Sequence, residues 1–137
     1  MSALGSASAS AAPADGARFD GRWGIVLVCP KAPDGALAWS FQFPADVKDG
    51  VLHGERGTAG QPGWLTLDGR IQPDGAASLD ARGLTGGAKF NVNQTFVGVA
   101  YQHDVTAHFD AARATGSWRA AQSNGQTRTC DFTFTKQ

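Results

Sequence analysis

Tight-turn signals divide the chain from Phe19 onward into short segments. The signals are Asp-Gly or Asn-Gly pairs at Asp34-Gly35, Asp49-Gly50, Asp74-Gly75 and Asn124-Gly125. These dipeptides tolerate the positive φ angles that hairpin turns require. A further hairpin loop is expected at residues 110–113, whereas Asp68-Gly69 falls inside an alternating segment and predicts a bulge or a kink. The spacing of the signals favours strands joined by hairpins.

Apolar and polar residues alternate with period two between these turns. Trp39, Phe41 and Phe43 fall on one face of a segment whose other face carries Ser40 and Gln42. About eight segments follow this pattern, and none has convincing helical periodicity. Half-buried strands joined by hairpins form an antiparallel meander, and closure removes exposed sheet edges. We therefore predict an all-β chain folded as an about eight-stranded antiparallel up-and-down β-barrel, with a β-sandwich as the alternative.

The chain has two parts of different composition. Residues 1–17 are rich in Ala, Ser and Gly and lack the regions of an intact signal peptide, so they predict a flexible arm or linker. Residues 18–137 are enough for a single barrel domain with a sizeable core. The whole chain has 18 Gly, four Lys and a single Glu, a composition that favours strands over helices.

Charge and hydropathy exclude several kinds of partner. Twelve Lys and Arg residues balance twelve Asp and Glu residues. The chain therefore lacks the basic field on which strong nucleic-acid binding depends. It contains no run of 18 apolar residues, so no membrane-spanning helix is expected.

The two cysteines lie far apart in the sequence. Cys29 ends the first predicted strand, and Cys130 lies in the last one. Because the first and last strands of an up-and-down barrel are neighbours, we predict a disulfide that links these two strands where the barrel closes. Two buried free thiols are the alternative, whereas two distant cysteines without a Cys-x-x-Cys motif do not indicate a metal site. A disulfide implies an oxidising compartment, hence a periplasmic or secreted protein.

The sequence offers no catalytic constellation. His103 and His108 lie in one predicted strand at a spacing that points them to opposite faces. Several aspartates occupy turn positions, where their side chains cap the backbone. Gly-x-Ser-x-Gly, P-loop and His-Glu-x-x-His motifs are missing from the sequence. We predict a non-enzymatic protein without a metal or a cofactor; catalysis around His53 and Glu55 is the alternative.

The distinctive surplus of the chain is aromatic. It has four Trp, one Tyr and eight Phe, and small barrels bind apolar or ring-shaped ligands with such side chains at their mouths. Most of the tryptophans follow the apolar phase of their strands and favour core filling: Trp23, Trp39 and Trp118. Trp64 is out of phase with the apolar residues of its strand. We predict a ligand site that contains Trp64, Tyr101 and Trp39 beside the loop at residues 83–95.

The motif Gly21-Arg22-Trp23 opens the first predicted strand. It resembles the Gly-x-Trp start shared by lipocalins and avidins, the calycin group of meander barrels. The resemblance implies that Trp23 closes one barrel end and that Arg119 or Arg128 packs over it. The polar residues with which avidins bind biotin are missing after Trp23, so biotin binding is not implied. Calycins also include inhibitors of secreted proteases, whose N-terminal arm enters the enzyme cleft.

A longer pattern is similar to an uncharacterised group of bacterial extracytoplasmic domains. In this chain it covers residues 19–23, 29–30, 47–54, 60–71 and 130–136. The resemblance implies a bacterial, extracytoplasmic location and no particular chemistry. Taken with the aromatic surplus, it leads us to expect a binding module for a small apolar or aromatic ligand or a glycan. A protein-binding inhibitor of the protease or lysozyme type is the alternative.

Overall fold

The computed structural model describes residues 16–121 and 125–137, in which eight strands form a closed barrel. A short 3₁₀ helix (Gly16–Phe19) precedes the first strand, and two more (Ala88–Phe90 and Val92–Gln94) lie between the fifth and sixth. The strands are β1 (Gly21–Cys29), β2 (Trp39–Lys48), β3 (Val51–Arg56), β4 (Leu65–Ile71), β5 (Ala76–Leu84), β6 (Ala100–Phe109), β7 (Arg113–Ala121) and β8 (Thr127–Lys136). No helix in these described ranges is long and apolar enough to cross a membrane.

Each strand pairs antiparallel with the next, and β8 pairs back onto β1. The closing ladder runs from Trp23 opposite Lys136 to Val28 opposite Asp131. The predicted eight-stranded up-and-down β-barrel is therefore confirmed, and the β-sandwich alternative is excluded because one continuous ladder closes on itself. The arm predicted for residues 1–17 and the turn at 123–125 fall largely outside the described residues.

One local expectation was wrong, the bulge predicted at Asp68-Gly69. Gly69 lies in an unbroken register, opposite Leu79 on one side and Leu52 on the other, so there is no bulge at this position. A Cβ at Gly69 would approach a δ-carbon of Leu79 to 2.7 Å, which shows that the glycine serves close packing instead.

Aromatic side chains fill the barrel end at which β1 begins. Phe19 is fully buried, and its backbone oxygen accepts a hydrogen bond of 2.8 Å from Nε1 of Trp23. The Phe109 ring packs edge-on against both, with centroid distances of 5.9 Å to Phe19 and 5.2 Å to Trp23. Because these large apolar surfaces leave water together, the 3₁₀ helix becomes a plug for this end.

The plug replaces the arginine that the calycin resemblance implies. Trp23 does close one barrel end, but Phe19 covers it. Arg119 is exposed on β7, and Arg128 lies at the opposite end, where it contacts the carbonyl of Pro30 just after β1. Both arginines belong to the strand ends that are farthest from Trp23, so neither can pack over it.

A disulfide joins the first strand to the last. The Sγ atoms of Cys29 and Cys130 are 2.07 Å apart, and both residues are buried. This confirms the predicted disulfide and excludes the alternative of free thiols. The bridge links positions 101 residues apart, for which the chain-entropy model gives a stabilisation of roughly 4–5 kcal/mol.

The barrel wall loses backbone pairing at two places toward the end where β1 finishes. The β2–β3 ladder extends only from Lys48 opposite Val51 to Ala45 opposite Gly54. The β6–β7 ladder covers only residues 106–109 of β6. Beyond these points the neighbouring strands diverge, and side chains complete the wall.

Candidate functional site

The barrel half at which β1 ends is hollow. It holds a partly open cavity of about 670 Å³, within the range of roughly 300–1,000 Å³ that is typical of small-molecule sites. The Cys29–Cys130 disulfide and Trp118 form its base, and all three residues are at most 4% exposed. The opposite half is packed with core side chains, so the cavity occupies one end of the barrel only.

One wall of the cavity is a row of three rings across the divergence of β6 and β7. His103 lies against Trp118 with ring centroids 4.6 Å apart, and Tyr101 lies 5.5 Å from His103. All three residues are in the inward phase of their strands, which the period-two alternation places on the core side. The row therefore closes the wall where hydrogen bonds between the strands stop.

The facing wall crosses the divergence of β2 and β3 in the same way. The guanidinium carbon of Arg56 lies 3.7 Å from the centroid of the Phe41 ring, and the rings of Phe41 and Trp39 are 4.7 Å apart. Arg56 is held in place by a hydrogen bond of 2.9 Å from its Nη1 to the carbonyl of Gly63. A cation–π contact and a ring pair thus seal the second gap.

Tyr101 is packed over a glycine of the neighbouring strand. Gly83 is its register partner on β5, and a Cβ at that position would lie 2.6 Å from the Tyr101 hydroxyl oxygen. The missing side chain makes room for the phenol ring. Burial raises the pKa of Tyr101 to about 12, and the positive charge of Arg56 opposes the shift. The phenol is therefore a neutral hydrogen-bonding group in the cavity.

His103 is the titratable ring of the cavity. Burial lowers its pKa from the ordinary value of 6.5, and the nearby Asp104 carboxylate opposes the shift. Desolvation disfavours the charged imidazolium, so the ring is neutral at physiological pH. It packs against Trp118 with a tilt of 33° between the rings and is part of the aromatic surface.

Two loops, at residues 30–38 and 85–99, meet beside the cavity, and Arg128 forms hydrogen bonds with both. This side chain is 4% exposed. Its Nε, Nη1 and Nη2 donate to the backbone carbonyls of Pro30, Phe90 and Leu37, at 2.8, 2.7 and 2.5 Å. Burial lowers the pKa of Arg128 from its ordinary value, and the nearby Asp34 opposes this. The three bonds fix both loops to β8.

Asp34 reinforces the same junction from the first loop. Its two carboxylate oxygens accept hydrogen bonds from the backbone N–H groups of Asn93, at 2.7 Å, and Ala36, at 3.0 Å. These bonds lower the pKa of Asp34 below its ordinary value. A backbone hydrogen bond of 2.8 Å from the N–H of Leu37 to the carbonyl of Lys89 is the second direct link between the loops.

The predicted site residues divide between the cavity and its outer rim. Trp39 and Tyr101 line the cavity on opposite walls. Trp64 is half-buried just before β4, and its Nε1 donates a hydrogen bond of 2.8 Å to Oε2 of Glu55. Glu55 is exposed on the outer side of β3. The structure therefore brings two of the three residues together and places the Trp64 indole outside the cavity lining.

The residues of the catalytic alternative also lie on the outer face. Nδ1 of His53 is 2.5 Å from Oδ1 of Asp68, and both side chains are at least half exposed. This hydrogen bond raises the pKa of His53 above 6.5; burial opposes the shift, and the charges of nearby carboxylates add to it. Glu55 accepts from Trp64 rather than from His53. Within residues 16–121 and 125–137, no cluster of three or more His, Cys, Asp and Glu side chains is placed to hold a metal ion.

Sequence reasoning missed three polar members of the cavity: Arg56, His103 and Arg128. The signal for Arg56 and His103 was present, because both follow the inward phase of β3 and β6. A charged or polar residue in the inward phase at a strand end indicates a hollow interior there. Arg128 follows the same phase in β8, but its carbonyl partners in distant loops leave no sequence pattern.

These features define a class: a closed eight-stranded meander barrel with one packed end and one aromatic-lined cavity. In sequence, the chain matches no protein-family model and no curated protein. It agrees with the calycin barrels only loosely, through its closed eight-stranded topology.

Among solved structures, the chain is similar in fold to Transferrin Binding Protein B (TbpB), a vaccine antigen from Haemophilus parasuis Hp5. A single mutant of that protein matches with a TM-score of 0.53 and 16% identity, covering 90% of this chain and 28% of the other. A double mutant matches with a TM-score of 0.52 and 16% identity, covering 90% and 27%. This chain spans a little over a quarter of the length of the TbpB chains. At this identity the likeness concerns the barrel fold alone.

Proposed function

We propose that this chain is a non-enzymatic binding module of an extracytoplasmic bacterial protein, which holds a small ligand in the open half of its barrel. The observation that carries the proposal is the contrast between the two halves. Aromatic side chains fill one end, whereas at the other they surround a cavity of about 670 Å³. Because packing voids in protein interiors are costly, an aromatic-lined hollow of this size supports a role in binding.

The ligand has an apolar or aromatic body. Trp39 and Phe41 on one wall face Tyr101 and His103 on the other. Flat rings gain from stacking against planar ligands and against the apolar faces of sugars, so a glycan belongs to the same panel of candidates. The neutral Tyr101 hydroxyl supplies a hydrogen bond that orients the ligand.

The extracytoplasmic location rests on two observations. The Cys29–Cys130 disulfide is typical of proteins that fold in an oxidising compartment. The fold similarity to TbpB, whose name describes a transferrin-binding protein, supports a bacterial binding protein in general. A periplasmic or secreted protein fits both.

A fluorescence titration tests the binding function. Purified protein is titrated with a panel of aromatic compounds, alkyl amphiphiles and oligosaccharides, and the tryptophan emission is followed. We expect a saturable change, and about tenfold weaker binding in Trp39→Ala, since stacking on one ring contributes on the order of 1 kcal/mol. Trp64→Ala should have a smaller effect, limited to ligands that extend past the rim. Failure of every compound to bind would refute the proposal.

A protein-binding role, as in a protease or lysozyme inhibitor, is the second candidate. The observation that favours it is a set of exposed apolar side chains on the loop at residues 85–99, with Phe96 79% and Val97 57% exposed. Contiguous groups of exposed apolar side chains, rather than single ones, mark interaction surfaces. Secreted proteases, lysozymes and transferrin are suitable probes. A stoichiometric complex that Phe96→Ser abolishes, while small-ligand binding persists, would favour this role.

A further inference from the structure

The charges that line the cavity all have one sign. Its lining includes two arginines, Arg56 and Arg128, and no Asp or Glu among the described residues. An arginine is charged at any pH that a protein tolerates. Since the whole chain is neutral by count, the positive sign is a property of the cavity rather than of the protein.

The two arginines differ in how many of their hydrogen-bond donors are already paired within the protein. Arg128 donates to three backbone carbonyls, and Asp34 lies close enough to balance part of its charge. Its charge is therefore committed to holding the loops. It contributes to the positive field in the cavity and has fewer donors left for a ligand than Arg56 has.

Arg56, in contrast, has most of its hydrogen-bond donors unpaired among the described residues. In the described part of the chain, its guanidinium makes one hydrogen bond, from Nη1 to the carbonyl of Gly63. No carboxylate of the described residues forms an ion pair with it. An arginine carries five N–H donors, so most of them remain for solvent or for a ligand. The contact with the Phe41 ring and the bond to Gly63 hold the group in one position.

Arg56 also lies where a ligand would end. It is the last residue of β3, at the mouth of the barrel, whereas the disulfide and Trp118 form the base. A molecule that fills the aromatic interior would therefore present its outer end to the guanidinium. A fixed arginine at the edge of an apolar pocket favours a planar acidic group, because it can donate two parallel hydrogen bonds to a carboxylate.

We propose that the ligand is an amphipathic anion, whose apolar or aromatic body fills the cavity and whose acidic group binds Arg56 at the mouth. The inference rests on the proposed binding function and adds the charge and the orientation of the ligand. A neutral ligand of the same shape would leave a desolvated guanidinium without its partner. Anions should therefore bind more tightly than neutral molecules of equal size.

Matched pairs of probes test the charge. Dodecanoate is compared with dodecanol, and 8-anilinonaphthalene-1-sulfonate with the neutral N-phenyl-1-naphthylamine. Affinities are measured by fluorescence or by calorimetry. We expect the anion of each pair to bind at least about tenfold more tightly, the ratio expected for one hydrogen bond to a charged group. Arg56→Gln should reduce the ratio to about one, and Arg56→Lys should retain part of it.

Arg119→Gln is the control. It removes the same charge from an exposed position on β7 and should leave the ratio unchanged. Near-ultraviolet circular dichroism of each variant shows whether the aromatic walls remain packed. If Arg56→Gln disturbs that packing, the ratio in Arg56→Lys decides the question, and a ratio near one in that variant would count against the proposal.

The outcomes separate this inference from the function on which it rests. Equal binding of anionic and neutral probes by the wild-type protein would overturn the charge assignment and leave the binding function intact. Binding of none of the four probes, nor of any oligosaccharide, would overturn both. A preference for anions that survives in Arg56→Gln and Arg56→Lys alike would show that Arg56 is not the anchor.

Discussion

The guanidinium of Arg56 lies 3.7 Å above the ring of Phe41, across the point where β2 and β3 cease to be hydrogen-bonded. Trp118 and His103 make the equivalent contact between β6 and β7, at 4.6 Å. A barrel held by hydrogen bonds at one end is thus held by stacked side chains at the other. The same side chains supply the walls of the cavity.

Replacing Phe41 with leucine tests the first of these contacts. Phe41→Leu keeps an apolar side chain but removes the aromatic face beneath Arg56. Since cation–π contacts contribute about 0.5–1 kcal/mol at exposed sites and about 2 kcal/mol when desolvated, we expect the free energy of unfolding to fall by about 1 kcal/mol. Urea denaturation measures the change. In an Arg56→Gln background the same substitution should cost less, and an equal cost in both backgrounds would show that the two side chains are not coupled.

A pair of glycine substitutions tests the packing of Tyr101. In Gly83→Ala the new Cβ would contact the Tyr101 hydroxyl and the backbone oxygen of Trp64. We expect a loss of about 1–3 kcal/mol, as for other overpacked sites, together with a changed near-ultraviolet circular dichroism spectrum. Gly86→Ala is the control, because a Cβ at Gly86 meets nothing within 4 Å. Equal stabilities of the two variants would contradict this view of Tyr101.

The fold could be predicted from the sequence because its determinants are local. Turn dipeptides such as Asp49-Gly50 and period-two alternation fix where strands begin, end and face, and both glycine and aspartate take positive φ at that turn. Closure then follows from the need to pair the edge strands, and it brings Cys29 to Cys130. The burial of the 3₁₀ helix at Phe19 could not be predicted in this way, because a single buried ring in a short segment gives no periodic sequence pattern.

The cavity was predictable in part. Trp39 and Tyr101 were predicted to lie in one site, and both line the cavity; their contact with a ligand stays a prediction. The loop junction was not predictable. Arg128 binds carbonyls of residues that are 98, 38 and 91 positions away in the sequence, and backbone carbonyls of irregular loops leave no residue-type signature.

Removal of the disulfide should destabilise the barrel without destroying its topology. Replacing both Cys29 and Cys130 with alanine frees a loop of about 100 residues in the unfolded state, so we expect a loss of up to about 4–5 kcal/mol. Urea denaturation of the variant and of the wild type under oxidising conditions measures it. The native wild-type protein should also gain two hydrogens in mass on reduction. Two thiols that titrate in the unreduced protein would disprove the bridge.

The pKa values of His103 and His53 should be shifted in opposite directions. Burial lowers the pKa of His103 below 6.5, whereas the hydrogen bond to Asp68 raises the pKa of His53 above 6.5. NMR titration of the imidazole protons should therefore give a lower midpoint for His103 than for His53. Asp68→Asn should lower the midpoint of His53 and leave that of His103 in place. Coincident midpoints in the wild type would contradict the described environments.

The shifts of His103 and His53 each make the stability of the fold depend on pH near 6.5. Because the unfolded state binds a proton at His103 more readily than the folded state, the stability is full above pH 6.5 and falls as the pH drops from 6.5 through the lowered pKa. His53 acts in the reverse sense: its contribution is present below pH 6.5 and is lost as the pH rises through the raised pKa. His53 is exposed, so solvent screens its contribution. The loss of stability on acidification should therefore be smaller in His103→Phe than in the wild type. This variant keeps an aromatic ring against Trp118 but removes the titratable group.

Tyr101 allows a direct optical test of the cavity, since it is the single tyrosine of the chain. Burial raises its pKa to about 12 from an ordinary 10.0, so the ultraviolet absorbance of tyrosinate should appear only in strongly alkaline solution. Protein unfolded in urea should titrate near 10.0, which provides the internal control. Arg56→Gln should raise the folded midpoint further, because the positive charge that favours the phenolate is gone. A folded midpoint near 10.0 would show that the phenol is solvated and that the wall around Tyr101 is open.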